Sequence, residues 1–390
     1  MTVDLQFSNV ELLLCRAVAD TEDALRAAAA HELRRELGDD KLLALTAKND
    51  VTPHVAHALI KDNPSAELLT PWHAAHERNA QRISAYLQEL DAIAALLGRD
   101  GIPLVALKNG GIARGIYPCP GCCPMGDLDV LVEKRHFRRA HRLLLAESYN
   151  FEFRSPLEEA ELEAAEQGGG GEYWKMLPGG EKLWFELQWR PVAGRWIRPD
   201  QEPSAEELMA RSVPIEGTAV RLLSPEDNLL QVALHTAKHT YVRAPGFRLH
   251  TDVDRIARRQ PVDWQLFLKR VHRLQVKTAV YFSLAIPHLL FDTPIPEDVL
   301  REIKPTRRKE QLIARWLQRA GIFNPDEQKF SSPGYIAFTS LLYDDLSGLR
   351  RALLPDSEWM HERYGFSNKL LLPYYHVRRM ADLAFKRVLS

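Results

Sequence analysis

The sequence predicts an α+β protein, with a small mixed-sheet core set between N-terminal and C-terminal helical regions. Three observations predict it. Apolar residues recur at helical spacing up to about residue 98, short apolar runs bounded by glycine or proline cluster between 99 and 223, and helical periodicity returns from 224. The expected units are a helical region over 1–98, an α/β core over 99–223 and a second helical region over 224–390.

Composition bounds the function classes. The chain has 390 residues, room for two or three units of roughly 100–200 residues each. It is 45% hydrophobic and 26% charged, and no window reaches the roughly 18 uninterrupted apolar residues of a membrane helix. No membrane partner is expected. The opening "MTVDLQFSNVELLLCRAVAD" lacks a basic start and a long apolar stretch, so no secretory signal is read and a cytoplasmic location is expected. Four cysteines, three of them at 119, 122 and 123, cannot build a disulfide framework and fit a reducing compartment. With 51 Lys plus Arg against 52 Asp plus Glu there is no global positive field, so nucleic acid is not an expected partner. The basic clusters "EKRHFRRAHR", "KPTRRKE" and "YHVRRMADLAFKR" read as solvated helix faces.

The elements follow in order. "ELLLCRAVADTEDALRAAAAHELRREL" and "AYLQELDAIAALLGRDG" carry apolar residues three and four apart, as amphipathic helices do. "GIPLVAL" at 101–107 is short, apolar and glycine-bounded, a buried strand, and "NGGIARGIY" is a turn opening a short helix. After the cysteine loop come the strand "LDVLVE", an Arg-rich helix from His136 to about Ser148, and a further strand in "YNFEFRS". "EEAELEAAEQGGGGEYWKMLPGG" reads as an acidic helix and a flexible connector, because "GGGG" lacks the Gly-Lys-Ser/Thr ending of a phosphate loop. "KLWFELQWRPV" alternates as a strand does. Ser224 and Pro225 in "TAVRLLSPEDNLL" sit as N-cap and first residue of a helix, and helices follow to the end.

Strand alternation puts Asp127 and Asp129 on one side of "GDLDVLV", with Leu128 and Val130 on the other. Two adjacent carboxylates repel unless a cation lies between them. Hard oxygens on a rigid strand suit Mg²⁺, with Mn²⁺ as a substitute, and that pairing belongs to phosphoryl transfer. Glu186, alone between apolar neighbours in "LWFELQW", is the candidate third carboxylate, since a buried acid needs a partner or a metal. In "LKNGG" a strand ends in Lys108, then Gly110 and Gly111 precede a helix whose N-terminal N–H groups favour anionic oxygens.

Taken together, "LKNGG", Tyr117, "CPMGDLDVLV" and "ELQW" resemble the uncharacterised bacterial nucleotidyltransferase family of the polymerase β-like nucleotidyltransferase superfamily. "LLALTAKNDVTPHVAHALI" is similar to that family's N-terminal helical segment, and "ALHTAKHTYVRAPGFRLHTDVDRIARRQPVDW" to its paired-histidine helix and the helix after it. The resemblance implies metal ligation by Asp127, Asp129 and Glu186, and triphosphate contacts from Lys108, Gly110 and Gly111. It implies Mg²⁺ and an NTP as co-substrate, and it turns the helix bearing His235, Lys238 and His239 toward the nucleotide or acceptor pocket, with Asp252 nearby. Three positions depart from the family pattern: Asn109 stands for a glycine, Cys123 for the arginine before the acidic pair, and Gln188 for a histidine.

Two other constellations carry chemistry. Cys119, Cys122 and Cys123 have C-x-x-C-C spacing, and zinc on them needs a fourth ligand from His136 or a distant histidine. His235 and His239 have helical ligand spacing, but "HTAKH" lacks the glutamate of a zinc-protease helix. The expected activity is metal-dependent transfer of a nucleoside monophosphate to a hydroxyl-bearing acceptor: a small molecule, peptide or protein. The alternative is a catalytically impaired nucleotide-binding or interaction module, motivated by Asn109, Cys123 and Gln188.

Overall fold

The structure is a computed structural model that describes residues 6–61, 69–154, 160–192, 197–239, 247–323, 332–355 and 357–388. Stretches 155–159 and 240–246, which carry the end of "YNFEFRS", the start of the acidic helix and part of the paired-histidine segment, lie outside these residues. The architecture is α+β: a mixed sheet flanked by helices. Among the described residues no helix is long and apolar enough to cross a membrane.

Five helices come first: α1 (Asn9–Val18), α2 (Asp23–Leu37), α3 (Asp39–Lys48), α4 (Thr52–Lys61) and α5 (Thr70–Arg99). Ser8 and Glu11 form a reciprocal cap that satisfies the first N–H groups of α1. Along α5 the buried residues Ile83, Tyr86, Leu90, Ile93 and Leu97 recur at three and four, so one stripe faces the sheet. Each such leucine contributes about 1.5–3 kcal/mol by leaving water.

The sheet alternates with short helices: β1 (Leu104–Leu107), α6 (Lys108–Gly115), β2 (Leu128–Leu131), α7 (Phe137–Ala146), β3 (Asn150–Phe151) and α8 (Leu162–Gly168). Then come β4 (Gly170–Met176), β5 (Lys182–Gln188), α9 (Ala205–Arg211), β6 (Val213–Pro214) and β7 (Val220–Leu222). The strand order is β3-β4-β5-β2-β1-β7-β6. β2 runs parallel to β5 and β1 parallel to β7, while β1 and β2 are antiparallel.

One expectation is corrected here. The glycine run is not a connector, because Gly169 ends α8 with φ +106° and Gly170 and Gly171 begin β4. A Cβ on Gly170 would stand 2.7 Å from the Leu187 carbonyl oxygen, so glycine permits close approach of β4 to β5.

Alternation divides the sheet into two faces. Leu128, Val130, Tyr173, Phe185 and Leu187 pack into one core with the α5 stripe and with Phe137, Ala140 and Leu144 of α7. Leu107, Leu131 and Val105 lie on the opposite side with Leu208 of α9. Beyond the sheet stand α10 (Pro225–His239), α11 (Arg248–Arg259), α12 (Trp264–Leu274) and α13 (Lys277–Phe291), with further helices from Glu297 to Val388. Ser224 caps α10, accepting from the Asp227 N–H at 3.4 Å. Leu14 and Val55 share one apolar core with Leu229, Val253 and Phe282, so N-terminal and C-terminal helices pack on each other. Buried Arg255 of α11 donates to Asp20 at 2.9 Å, fixing the end of α1 to that core.

Candidate active site

Sheet register assembles the acids. Asp129 on β2 lies opposite Glu186 on parallel β5, and Glu186 lies opposite Glu172 on antiparallel β4. Directly paired residues share a face, so three carboxylates form a row on the side away from the α5 core. Asp127 sits one residue before β2 begins.

Like charges in a row repel, and two cations answer them. The Lys108 ammonium donates to Asp129 Oδ1 at 2.5 Å and stands 3.7 Å from Glu186 Oε2. The Arg154 guanidinium donates to Asp127 Oδ2 at 2.7 Å, to Glu172 Oε2 at 3.2 Å and to Glu186 Oε1. The carboxylates are thus spread around Lys108 and Arg154. Arg154 and Glu172 are site residues that the motif reading did not identify.

Two of the departing residues also hold the acids. Asn109 donates to Asp127 Oδ1 at 3.0 Å and accepts from Arg248 Nη1 at 3.0 Å. Gln188 donates to Asp129 Oδ1 at 3.2 Å and to Glu186 Oε2. Arg248 also donates to the Pro124 carbonyl at 3.2 Å and to Asp252 at 3.3 Å, while the Tyr117 hydroxyl donates to Asp252 at 3.0 Å. A buried chain therefore runs from α11 through Asn109 to Asp127. Cys123, the third departure, packs its thiol into the sheet core.

Protonation follows this arrangement. Burial pushes the Asp129 carboxyl above the usual carboxylate range, opposed by Lys108. Burial also disfavours charge on Glu186, yet Lys108, its link to Asp129 and Arg154 hold it below that range. Lys108 pays for its own burial through Asp129 and Glu186, which raise it and keep it cationic.

The expected glycine turn before a helix is corrected here, because α6 already starts at Lys108 and holds Gly110 and Gly111 within it. Lys108 opens α6 with φ 42°, a left-handed conformation that a lysine adopts at a cost of order 1–3 kcal/mol. Gly110 and Gly111 are buried in that helix; a Cβ on Gly111 would stand 2.8 Å from the Ala106 carbonyl oxygen. The glycines bring α6 against β1, which fixes where Lys108 starts.

The α10 residues gather at the same place. Lys238 donates to the Val192 carbonyl at 3.0 Å, and burial together with neighbouring Lys108 pushes its ammonium down to about 8. His235 and His239 bring their rings to 4.5 Å, and burial and Lys108 hold His235 in its neutral form. α10 packs against α6, which Lys108 opens, and Asp129 and Glu186 favour the charged form of Lys238 against its burial.

The cysteine loop differs from expectation. Its short turn at Pro120–Cys122 brings Cys119 and Cys122 together, whereas Cys123 is buried elsewhere and His136 lies in the turn after β2. The histidines beside Cys119 are His57 and His76.

No curated protein and no solved structure matches the chain. Residues 35–292, more than half of the chain, match the model of the uncharacterised nucleotidyltransferase family, and the protein belongs to that family.

Proposed function

We propose that the chain transfers a nucleoside monophosphate from an NTP to a hydroxyl-bearing acceptor, with release of pyrophosphate. Family membership gives nucleotidyl transfer as the general role and a nucleotide as substrate. The observation that carries the finer reading is the register of Asp129 against Glu186, with Asp127 beside them and Lys108 at the adjoining helix start.

The residues suit a hard divalent cation. Asp129 Oδ2 is buried without a hydrogen-bond partner among the described residues, in a set of carboxylate oxygens. Asp127, Asp129 and Glu186 would hold Mg²⁺, or Mn²⁺ in its place. When bound, the cation supplies polarisation of phosphoryl oxygens and charge neutralisation. Lys108 and Lys238 provide positive charge for the phosphates. Glu186, ionised at neutral pH, accepts a hydrogen bond from the acceptor hydroxyl and orients it. Arg154, 38% exposed at the edge of the row, neutralises the acids until the cation and nucleotide arrive.

The test is incubation with NTPs labelled at the α-phosphate and fractionated small-molecule, peptide and protein acceptors. Label should move into one fraction with the wild type and not with Glu186→Gln. A binding-only module is the second reading, favoured by the neutralisation of the acids by Lys108 and Arg154. Metal-dependent NTP binding with no transfer to any fraction would select it.

A further inference from the structure

We propose that His57, His76, Cys119 and Cys122 form a structural metal site of the zinc class, separate from the acid row, which ties α4 and α5 to the loop leading into β2. Ligand atoms of His57, His76 and Cys119 all lie within 4.8 Å of one another. Cys119 Sγ is 3.7 Å from His57 Nδ1 and 3.6 Å from His76 Nε2. Tetrahedral zinc, with sulfur at about 2.3 Å and nitrogen at about 2.0–2.1 Å, sets sulfur and nitrogen donors ~3.6 Å apart. The edges match.

Cys122 supplies the fourth donor by turning its thiol, which here donates to the Cys119 carbonyl at 3.0 Å, toward the three ligand atoms whose cluster it does not yet join. Its Sγ stands 3.2 Å from Cys119 Sγ, inside the ~3.8 Å between two thiolates on one zinc, so the pair opens slightly on binding. The thiol protons pass to solvent as the metal binds. Two imidazoles and two thiols select a borderline-soft ion over Mg²⁺ or Ca²⁺, which take oxygen.

The surroundings hold the donors in place. Asn79, one turn along α5 from His76, donates its Nδ2 to the carbonyls of Pro120, Gly121 and Cys123 at 3.2, 3.1 and 2.9 Å. A Cβ on Gly121 would stand 2.3 Å from the His76 ring, so the imidazole lies on the loop because that residue is glycine. The His57 and His76 rings stack with centroids 5.7 Å apart. The loop continues through Pro124, held by Arg248, to Asp127. A metal here would fix the approach to the acidic strand from the N-terminal side.

The experiment reconstitutes the full chain with Zn²⁺ under reducing conditions, removes loosely held ion with a weak chelator and measures zinc per chain, then repeats it with Co²⁺. The expected result is one zinc retained per chain, together with intense visible bands of tetrahedral Co²⁺ and a near-ultraviolet thiolate-to-cobalt band. Cys119→Ser and His76→Ala should lose the retained metal, while Cys123→Ala keeps it. A folded wild type that retains no zinc, a Co²⁺ spectrum without the thiolate band, or undiminished retention by Cys119→Ser would overturn the proposal. So would a Cys119–Cys122 disulfide that forms under those conditions in place of metal binding. The wild-type Co²⁺ spectrum decides even where a variant does not fold.

Discussion

Replacing Lys108 by methionine keeps the apolar stem and removes the ammonium between two acids. Lys108 and Asp129 are both buried, the latter 1% exposed, and their atoms are 2.5 Å apart. Removing one partner of such a pair leaves an uncompensated charge and costs about 3–5 kcal/mol. That cost should depend on pH. Burial already raises Asp129, and loss of Lys108 raises it further. A carboxyl whose folded pKa exceeds its unfolded value of about 3.9 loses folding stability as pH rises between the two, by about 1.4 kcal/mol per unit. The gap between wild type and Lys108→Met should therefore shrink on going from pH 7 to pH 5 across the interval between the two folded values of Asp129, where the wild type is ionised and the variant protonated, by about 1.4 kcal/mol for each unit of that interval. Mg²⁺ at pH 7 should narrow it as well, because a cation that binds only the folded acids stabilises by mass action. Urea unfolding at both pH values, with and without Mg²⁺, measures all of this. A gap indifferent to pH and Mg²⁺ would refute the view that Lys108 neutralises a cation site.

Three further outcomes follow from the same geometry. Arg154→Met should cost about 1–2 kcal/mol in urea unfolding without metal, since its pairs are partly exposed, yet bind Mg²⁺ more tightly by calorimetry; unchanged Mg²⁺ affinity would count against competition for Asp127 and Glu186. Gly111→Ala forces a Cβ toward the β1 backbone and should lower stability by about 1–3 kcal/mol, seen as a reduced melting temperature; an unchanged melting temperature would mean that α6 is free to shift. Lys238 loses its proton through about pH 8, so NTP affinity should fall as pH rises through that value. The fall should flatten in Lys238→Met, and an identical profile in both would remove Lys238 from the phosphate contacts.

The fold was legible wherever local pattern decides structure. The α5 stripe, the apolar run of β1, the alternation of β5 and the Ser224 cap all appear where spacing and capping chemistry place them. Asp127, Asp129 and Glu186 were visible as acids out of keeping with apolar neighbours, and register then explains why they meet. β4 was hidden because its glycines look like a linker, while their purpose, a close strand approach, exists only once β5 is beside them. Glu172 was lost with that strand. Arg154 comes from a segment with no motif and Arg248 from one whose resemblance pointed to Asp252 instead, and their partners stand 27 and 139 residues away in sequence. The same distance hid His57 and His76, since helices α4 and α5 bring them to a loop more than forty positions later.

The most direct test of the central claim is calorimetric binding of each NTP in Mg²⁺, comparing the wild type with the double variant Asp127→Asn plus Asp129→Asn. Metal-dependent binding by the wild type that the folded double variant loses is the expected result. Failure of the folded wild type to bind any NTP at millimolar concentration, or equal binding by both proteins, would contradict it.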